Sequence, residues 1–240
     1  YQGSSDRGLE LIPPAELATL VGRAAAGGLA TAIHAIGDRA VRSALDAFSA
    51  AGHELGTPAL PPRIEHVQLL DPADLPRFAA LGVAASMQPL HCTSDIDIAH
   101  RHWGERVDRS YPWRGLIEGG ARLAFGSDAP VERPAIAAAL HSAVTRQRLD
   151  GTPGDGFTPA HRLTLDQALS AYTEGPARLA GTWPRLGRIA PGATADLAVW
   201  SADLHRLPNA SLAQAEVMVT VMEGAIVFRR DAAGSAAAPE

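Results

Sequence analysis

Apolar residues along this chain fall into two kinds of run. Short continuous runs, "LATAIHA", "PRIEHVQLL", "VAASMQPL" and "ARLAFGSDAP", read as strands. Between them, apolar positions recur every three or four residues, which is the helical period. "IPPAELATLVGRAAAGG" places Leu17, Leu20 and Val21 on one helical face, with Pro14 in the first turn and Gly27–Gly28 as a stop. "DRAVRSALDAFSAAG" does the same with Val41, Leu45 and Phe48, and Asp38 is the expected N-cap. "DPADLPRFAALG", "YPWRGLIEGG" and "PAIAAALHSAVTRQRL" complete the helical set, and a polar stretch from His91 to Arg109 interrupts it. Strands alternating with amphipathic helices predict a parallel sheet covered by helices.

After residue 150 the pattern changes. "DGTPGDGFTP" reads as a loop, and "TLDQALSAYTEGPARLAG" as one helix with Thr164 as its N-cap. "GRIAPGATADLAVW" and "AEVMVTVMEGAIVFRR" read as strands joined by Gly and Pro turns, and "DAAGSAAAPE" reads as a disordered tail. The expected divisions are therefore residues 1–182 for the strand–helix unit, 183–230 for a β-rich segment and 231–240 for the tail.

Composition sets limits on this picture. At 240 residues and 46% apolar, the chain can bury a sizeable core. A net charge of −5, without long runs of one sign, argues against a nucleic-acid surface. Cys92 is the single cysteine, so no disulfide can form within the chain. No apolar run has transmembrane length, and the polar opening "YQGSSDRG" does not look like a secretion signal. No membrane partner and a cytoplasmic location are the resulting expectations. All 21 basic residues are Arg, and lysine is absent.

Candidate chemistry concentrates where three strand-like runs end, at His34, His66 and Asp128. In parallel α/β folds, functional groups gather at the C-terminal ends of strands. Imidazole and carboxylate are the ligands of a catalytic zinc or similar ion. Any one of these residues alone has a plainer reading: a strand-end His is commonly a hydrogen-bonded structural residue, and Gly-Ser-Asp is an ordinary turn. Gly37 and Gly126, beside the candidates, allow close backbone approach.

"IHAIGDRAV", "RIEHVQL", "ASMQP" and "LAFGSDAPVE", in that order, resemble the second half of an amidohydrolase-superfamily barrel. The resemblance is to the amidohydrolase-3 branch, which includes N-substituted formamide deformylase-like proteins. "GRIAPGATADLAVW" followed by "VTVMEGAIVF" resembles that family's C-terminal return into a β-sandwich. The fold this implies is α/β: a partial (β/α)8 TIM-like barrel, about its last four βα units, with a small β-sandwich-type C-terminal segment. The resemblance implies metal ligands at His34 after the fifth strand and His66 after the sixth. It implies Asp128 after the eighth strand as both metal ligand and catalytic acid–base group. His91, after the seventh, would be a polar substrate contact, with a surface-loop histidine as the equal alternative; apart from the resemblance, Trp113, like Trp103 and Tyr111, is read as a pocket-shaping aromatic or, more commonly for an aromatic, a packed one. The implied cofactor is a divalent metal, zinc being the expected ion, with one or two in a complete enzyme. The implied reaction is hydrolysis of a non-peptide C–N bond in a small-molecule amide or formamide, with Asp128 passing the water's proton to the leaving amine.

The departures from the family pattern are equally specific. The family's His-x-His after the first strand is missing in that context, since "HRH" at 100–102 lies in the polar stretch. Its bridging carboxylated Lys cannot exist in a chain without lysine. The simplest account is that these residues are the C-terminal portion of a longer enzyme and lack hydrolase activity by themselves. Unpaired sheet edges would then favour homo-oligomers. The alternative is an inactive binding or scaffold module of the same fold. A serine or cysteine hydrolase built on Ser127 or Cys92 lacks a G-x-S-x-G elbow. Arg114 and Glu65 are expected in structural ion pairs, and His141 is expected to face solvent.

Overall fold

The structure is a computed structural model, and it describes residues 1–52, 60–230 and 236–237. The predicted rhythm appears as α1 (Pro14–Ala26), β1 (Ala32–Ala35), α2 (Asp38–Ala51), β2 (Arg63–His66), α3 (Leu75–Leu81) and β3 (Ala84–Met87). It continues with α4 (Pro89–Ser94), α5 (Ile96–Trp103), α6 (Trp113–Glu118), β4 (Arg122–Phe125) and α7 (Ile136–Thr145). Strands β1 to β4 pair in sequence order, and every pairing is parallel. This is an α/β architecture of four consecutive βα units.

The register sorts the strand residues into two faces. Ile33, Ile64, Ala85 and Leu123 align across the sheet, as do Met87 and Phe125 one step further along. These residues meet Val41, Leu45 and Phe48 of α2, Phe78 of α3 and Leu116 of α6 in one apolar core. The opposite face carries His34, Arg63, Glu65, Ser86 and Arg122, and there Arg63 Nε lies 2.6 Å from Glu65 Oε1. A helix layer thus covers one face, while the other mixes these polar groups with Ala84 and Ala124, which are buried against Leu179. No described helix is long and apolar enough to cross a membrane.

Several elements depart from the sequence pattern. Gly37, not Asp38, occupies the cap position of α2, and Asp38 begins the helix. The polar stretch after His91 is helical, because Ile96, Ala99 and Trp103 form a narrow buried stripe on α5. The single helix expected after Thr164 is two, α8 (Leu165–Tyr172) and α9 (Glu174–Leu179). Pro176 explains the break: its ring cannot follow an intact turn at Tyr172, four residues earlier. Thr164 does cap α8, in a reciprocal capping box with Gln167. Gly175 lets α9 lie directly on β4, since a Cβ there would overlap the Leu123 carbonyl oxygen. His141, expected in solvent, is buried within α7.

A second sheet follows: β5 (Leu197–Trp200), β6 (Val217–Met222), β7 (Ala225–Arg230) and the two-residue β8 (Ala236–Ala237), all antiparallel. Of the tail expected to be disordered, residues 231–235 and 238–240 lie outside the described residues.

Candidate metal centre

His34 is the third residue of β1 and His66 the last of β2, so both stand at the C-terminal end of the parallel sheet. Asp128 lies on the loop that leaves β4, and His91 is the third residue of α4, just past β3. Four elements therefore deliver four candidate groups to one end of the sheet. The imidazole rings of His34 and His66 meet edge to face with centroids 4.5 Å apart. Those of His66 and His91 lie nearly parallel, 14° apart at 5.9 Å. His91 Nε2 is 3.2 Å from Asp128 Oδ2.

Within this cluster, donor atoms of His66, His91 and Asp128 all lie within 4.8 Å of one another. His34 stands beside that group, against His66, rather than in it. Coordination bonds of about 2.0–2.2 Å hold nitrogen and oxygen ligands of one zinc-like ion roughly 3–4 Å apart. The three donors need only a small closure to reach that spacing, and two imidazoles with one carboxylate form a suitable ligand set. The residues present fit a divalent ion. Burial pushes His66 below the ordinary imidazole pKa, opposed by its hydrogen bond to Gln88. The ring is therefore neutral near pH 7, the form that can bind a metal.

The backbone at these positions is constrained. His66 has φ 78°, Val67 φ 47° and Asp128 φ 59°, a left-handed region that residues with a Cβ rarely adopt. The turn after β2 is held from both sides. Val67 N donates to Ala35 O and Leu69 N to Ile36 O, while Tyr111 N donates to Gln68 O and Leu70 N to Arg109 O. Beneath it, the Tyr111 hydroxyl donates to Asp95 Oδ2 at 2.6 Å, and Gln68 Nε2 donates to both Asp95 and the Tyr111 oxygen. Burial, reinforced by Asp95, raises the Tyr111 pKa well above its usual value and keeps that hydroxyl protonated.

Arg146 locks the next segment. It is fully buried, donates to the carbonyls of Ser110, Tyr111 and Phe157 and to the Thr158 hydroxyl, and stacks 4.6 Å above the Trp113 ring. Trp113 is itself wholly buried, edge-on to Phe125, which is the packed arrangement of the two readings its sequence allowed. Cys92 is buried and its thiol is pushed up to about 11, which removes the thiolate a cysteine nucleophile needs. His100 and His102, of the "HRH" run, pack on Phe157 and Tyr1. Arg114 pairs with Glu118, and Glu65 with Arg63, as ordinary ion pairs.

Sequence reasoning passed over Gln88, whose Oε1 lies 2.9 Å from His66 Nδ1. It also missed Gln68, Asp95 and Arg146. The only sequence signal for Gln88 was its place at a strand end immediately before a proline.

Comparison with known proteins places these observations in a family. The model of the amidohydrolase family matches residues 1–228. The chain is 38% identical over 197 residues to Protein LONG AFTER FAR-RED 3 of Arabidopsis thaliana, covering 81% of this chain and 33% of that protein. It is 31% identical over 227 residues to the putative amidohydrolase YtcJ of Bacillus subtilis (strain 168), covering 94% of this chain and 42% of that one. The crystal structure of an uncharacterized metal-dependent hydrolase from Pyrococcus horikoshii superposes with a TM-score of 0.68 at 33% identity, over 80% of this chain and 38% of that chain. The chain thus spans between 33% and 42% of the length of these relatives.

Proposed function

The chain belongs to the amidohydrolase family, and from that premise we propose that its strand-tip cluster is the divalent-metal site of a hydrolase acting on amide-type C–N bonds, formamides included. The observation that carries this reading is the convergence of His66, His91 and Asp128 donor atoms within 4.8 Å at the tips of the parallel strands. His66, His91 and Asp128 would hold the ion, with His34 adjacent and zinc the expected metal. Such an ion acidifies water and polarises a carbonyl, which is the chemistry amide hydrolysis needs near pH 7.

The chain's own groups supply the rest. Asp128 is partly exposed, and its Oδ2 is engaged by His91. Oδ1 is left to accept a proton from the attacking water and to return it to the departing nitrogen, which leaves as an amine beside a carboxylic acid or formate. The turn anchored by Gln68, Tyr111 and Asp95 keeps His66 at the tip of β2. Among the described residues, β1 and β4 each have a strand neighbour on one side only, and no lysine is available as a bridging base. Metal binding, rather than turnover, is therefore the property expected of these 240 residues alone.

The test is metal content. The purified chain, incubated with zinc and desalted, is expected to retain about one ion per molecule. His66→Ala and Asp128→Asn should each lose it, while His205→Ala, at an exposed Asp166 pair far along the sequence, should not. Zinc retention unaffected by either cluster variant would overturn the assignment, and so would a wild-type chain that retains none.

A further inference from the structure

Gln88 joins β3 to α4 in an extended conformation, as expected of a residue preceding proline. It is 5% exposed, and His66, its partner, is 7% exposed. Gln88 Oε1 faces His66 Nδ1 at 2.9 Å, leaving Nε2 as the ring nitrogen not engaged by Gln88. Three residues later the same segment supplies His91, whose Nε2 meets Asp128. One short stretch, Gln88 to His91, thus touches one imidazole of the cluster and contributes another.

We infer that Gln88 is a positioning residue that fixes the tautomer of His66, so that its Nε2 lone pair is the one presented to the cluster. A carbonyl oxygen has no proton to give, so a hydrogen bond at Nδ1 requires the proton to sit on Nδ1. Neutral imidazole carries one N–H only, and Nε2 is left as an acceptor. Without an acceptor at Nδ1 the two tautomers would mix, and the Nε2–H form cannot bind a cation through Nε2, the nitrogen turned away from Gln88. A hydrogen-bond partner on the far nitrogen of a ligating His commonly changes metal affinity by about 10- to 100-fold. A buried amide does this without adding the charge that a carboxylate would bring beside Asp128. The consequence for metal affinity rests on the cluster being a cation site; the tautomer assignment does not.

The experiment is long-range proton–nitrogen NMR on the metal-free, nitrogen-15-labelled chain, with His66 signals identified by their loss in His66→Gln. The wild type is expected to show a protonated Nδ1 and an unprotonated Nε2. Gln88→Leu should give a tautomer mixture and weaken zinc binding by about 10- to 100-fold, whereas Gln88→Glu, which keeps an acceptor, should retain the wild-type pattern. A Gln88 that only packs would change stability in the Leu variant and leave the nitrogen pattern alone. A wild-type spectrum with the proton on Nε2, or with a mixture, overturns the inference. So does a Leu variant with unchanged nitrogen signals. If the Leu variant does not fold, the wild-type and Glu spectra decide. A wild type with the expected tautomer but no zinc binding would refute the metal reading and leave the role of Gln88 standing.

Discussion

The parallel sheet is made of four-residue strands, and its positions Ile64, Ala85 and Met87 are completely shielded from water. The antiparallel sheet has six-residue strands in β6 and β7, yet no residue of β5, β6 or β7 is buried. Val199, Met222, Ile226 and Val227 are all exposed apolar residues. Strand length therefore says little about which sheet is the stable one. Coverage decides: helices α2, α3 and α6 seal one face of the first sheet, and no comparable layer of described residues seals the second. The candidate metal centre stands on the sealed sheet. A cluster of four polar groups with left-handed backbone at two of them needs a rigid support beneath it.

The comparison breaks most directly by truncating one apolar side chain on each side. Phe48→Ala empties a fully buried position of α2 and is expected to cost about 3–5 kcal/mol. Val227→Ala, at a position 40% exposed, is expected to change stability by no more than about 0.5 kcal/mol. Equilibrium urea unfolding of both variants gives the two numbers. Similar losses would mean that something covers the antiparallel sheet in solution, and that the contrast drawn above is false.

A smaller effect asks to which region the intervening helices belong. Helix α8 precedes the antiparallel strands in sequence but packs on β4 and α7. Thr164→Ala removes its side-chain cap, and Gln167 loses its reciprocal partner; a loss of about 1 kcal/mol is expected. If α8 is part of the sealed region, the main unfolding transition moves by that amount. A shift confined to a separate, earlier transition would assign α8 to the second sheet instead.

How much of this was legible in the sequence depends on which physical signal each element carries. Periodicity located all four parallel strands, because their apolar runs are bounded by Gly, Pro and Asp turns. It missed α5, whose apolar stripe is three residues wide and set among Asp, His and Arg. It misjudged His141, because helix α7 reads as one-sided when it is in fact covered by α4 on one flank and the turn Asn209–Gln214 on another. For the site, His66 and Asp128 were legible as polar ends of apolar runs. His91 was read as a substrate contact, and the structure sets it among the converging donors. Gln68 and Arg146 left no pattern at all, and Gln88 only its place before Pro89. Their side-chain partners lie 22 residues away for Gln88, 27 and 43 for Gln68 and up to 36 for Arg146, and hydrogen bonds across such gaps have no period.

The smallest expected effect concerns His141, and it probes the joint between the two regions. The ring is 2% exposed, and its Nδ1 has no hydrogen-bond partner among the described residues. Burial alone lowers its pKa below 6.5. The sign follows: the unfolded chain takes up a proton near pH 6.5 that the folded chain refuses, so stability is full above that pH and falls as pH drops through it. His66 and His161 are lowered by burial too and act in the same direction. His205 is raised by its hydrogen bond to Asp166, which acts oppositely, but it is fully exposed and screened. Unfolding free energy should therefore decline between about pH 7.5 and about pH 5.5. In His141→Leu that decline should be shallower, with no loss at the upper end, because an unpaired buried nitrogen is replaced by apolar atoms. An unchanged slope would mean that His141 is as protonated in the folded chain as in the unfolded one. Water would then reach α7, and the packing of α7 between α4 and the Asn209–Gln214 turn would be looser than its burial implies.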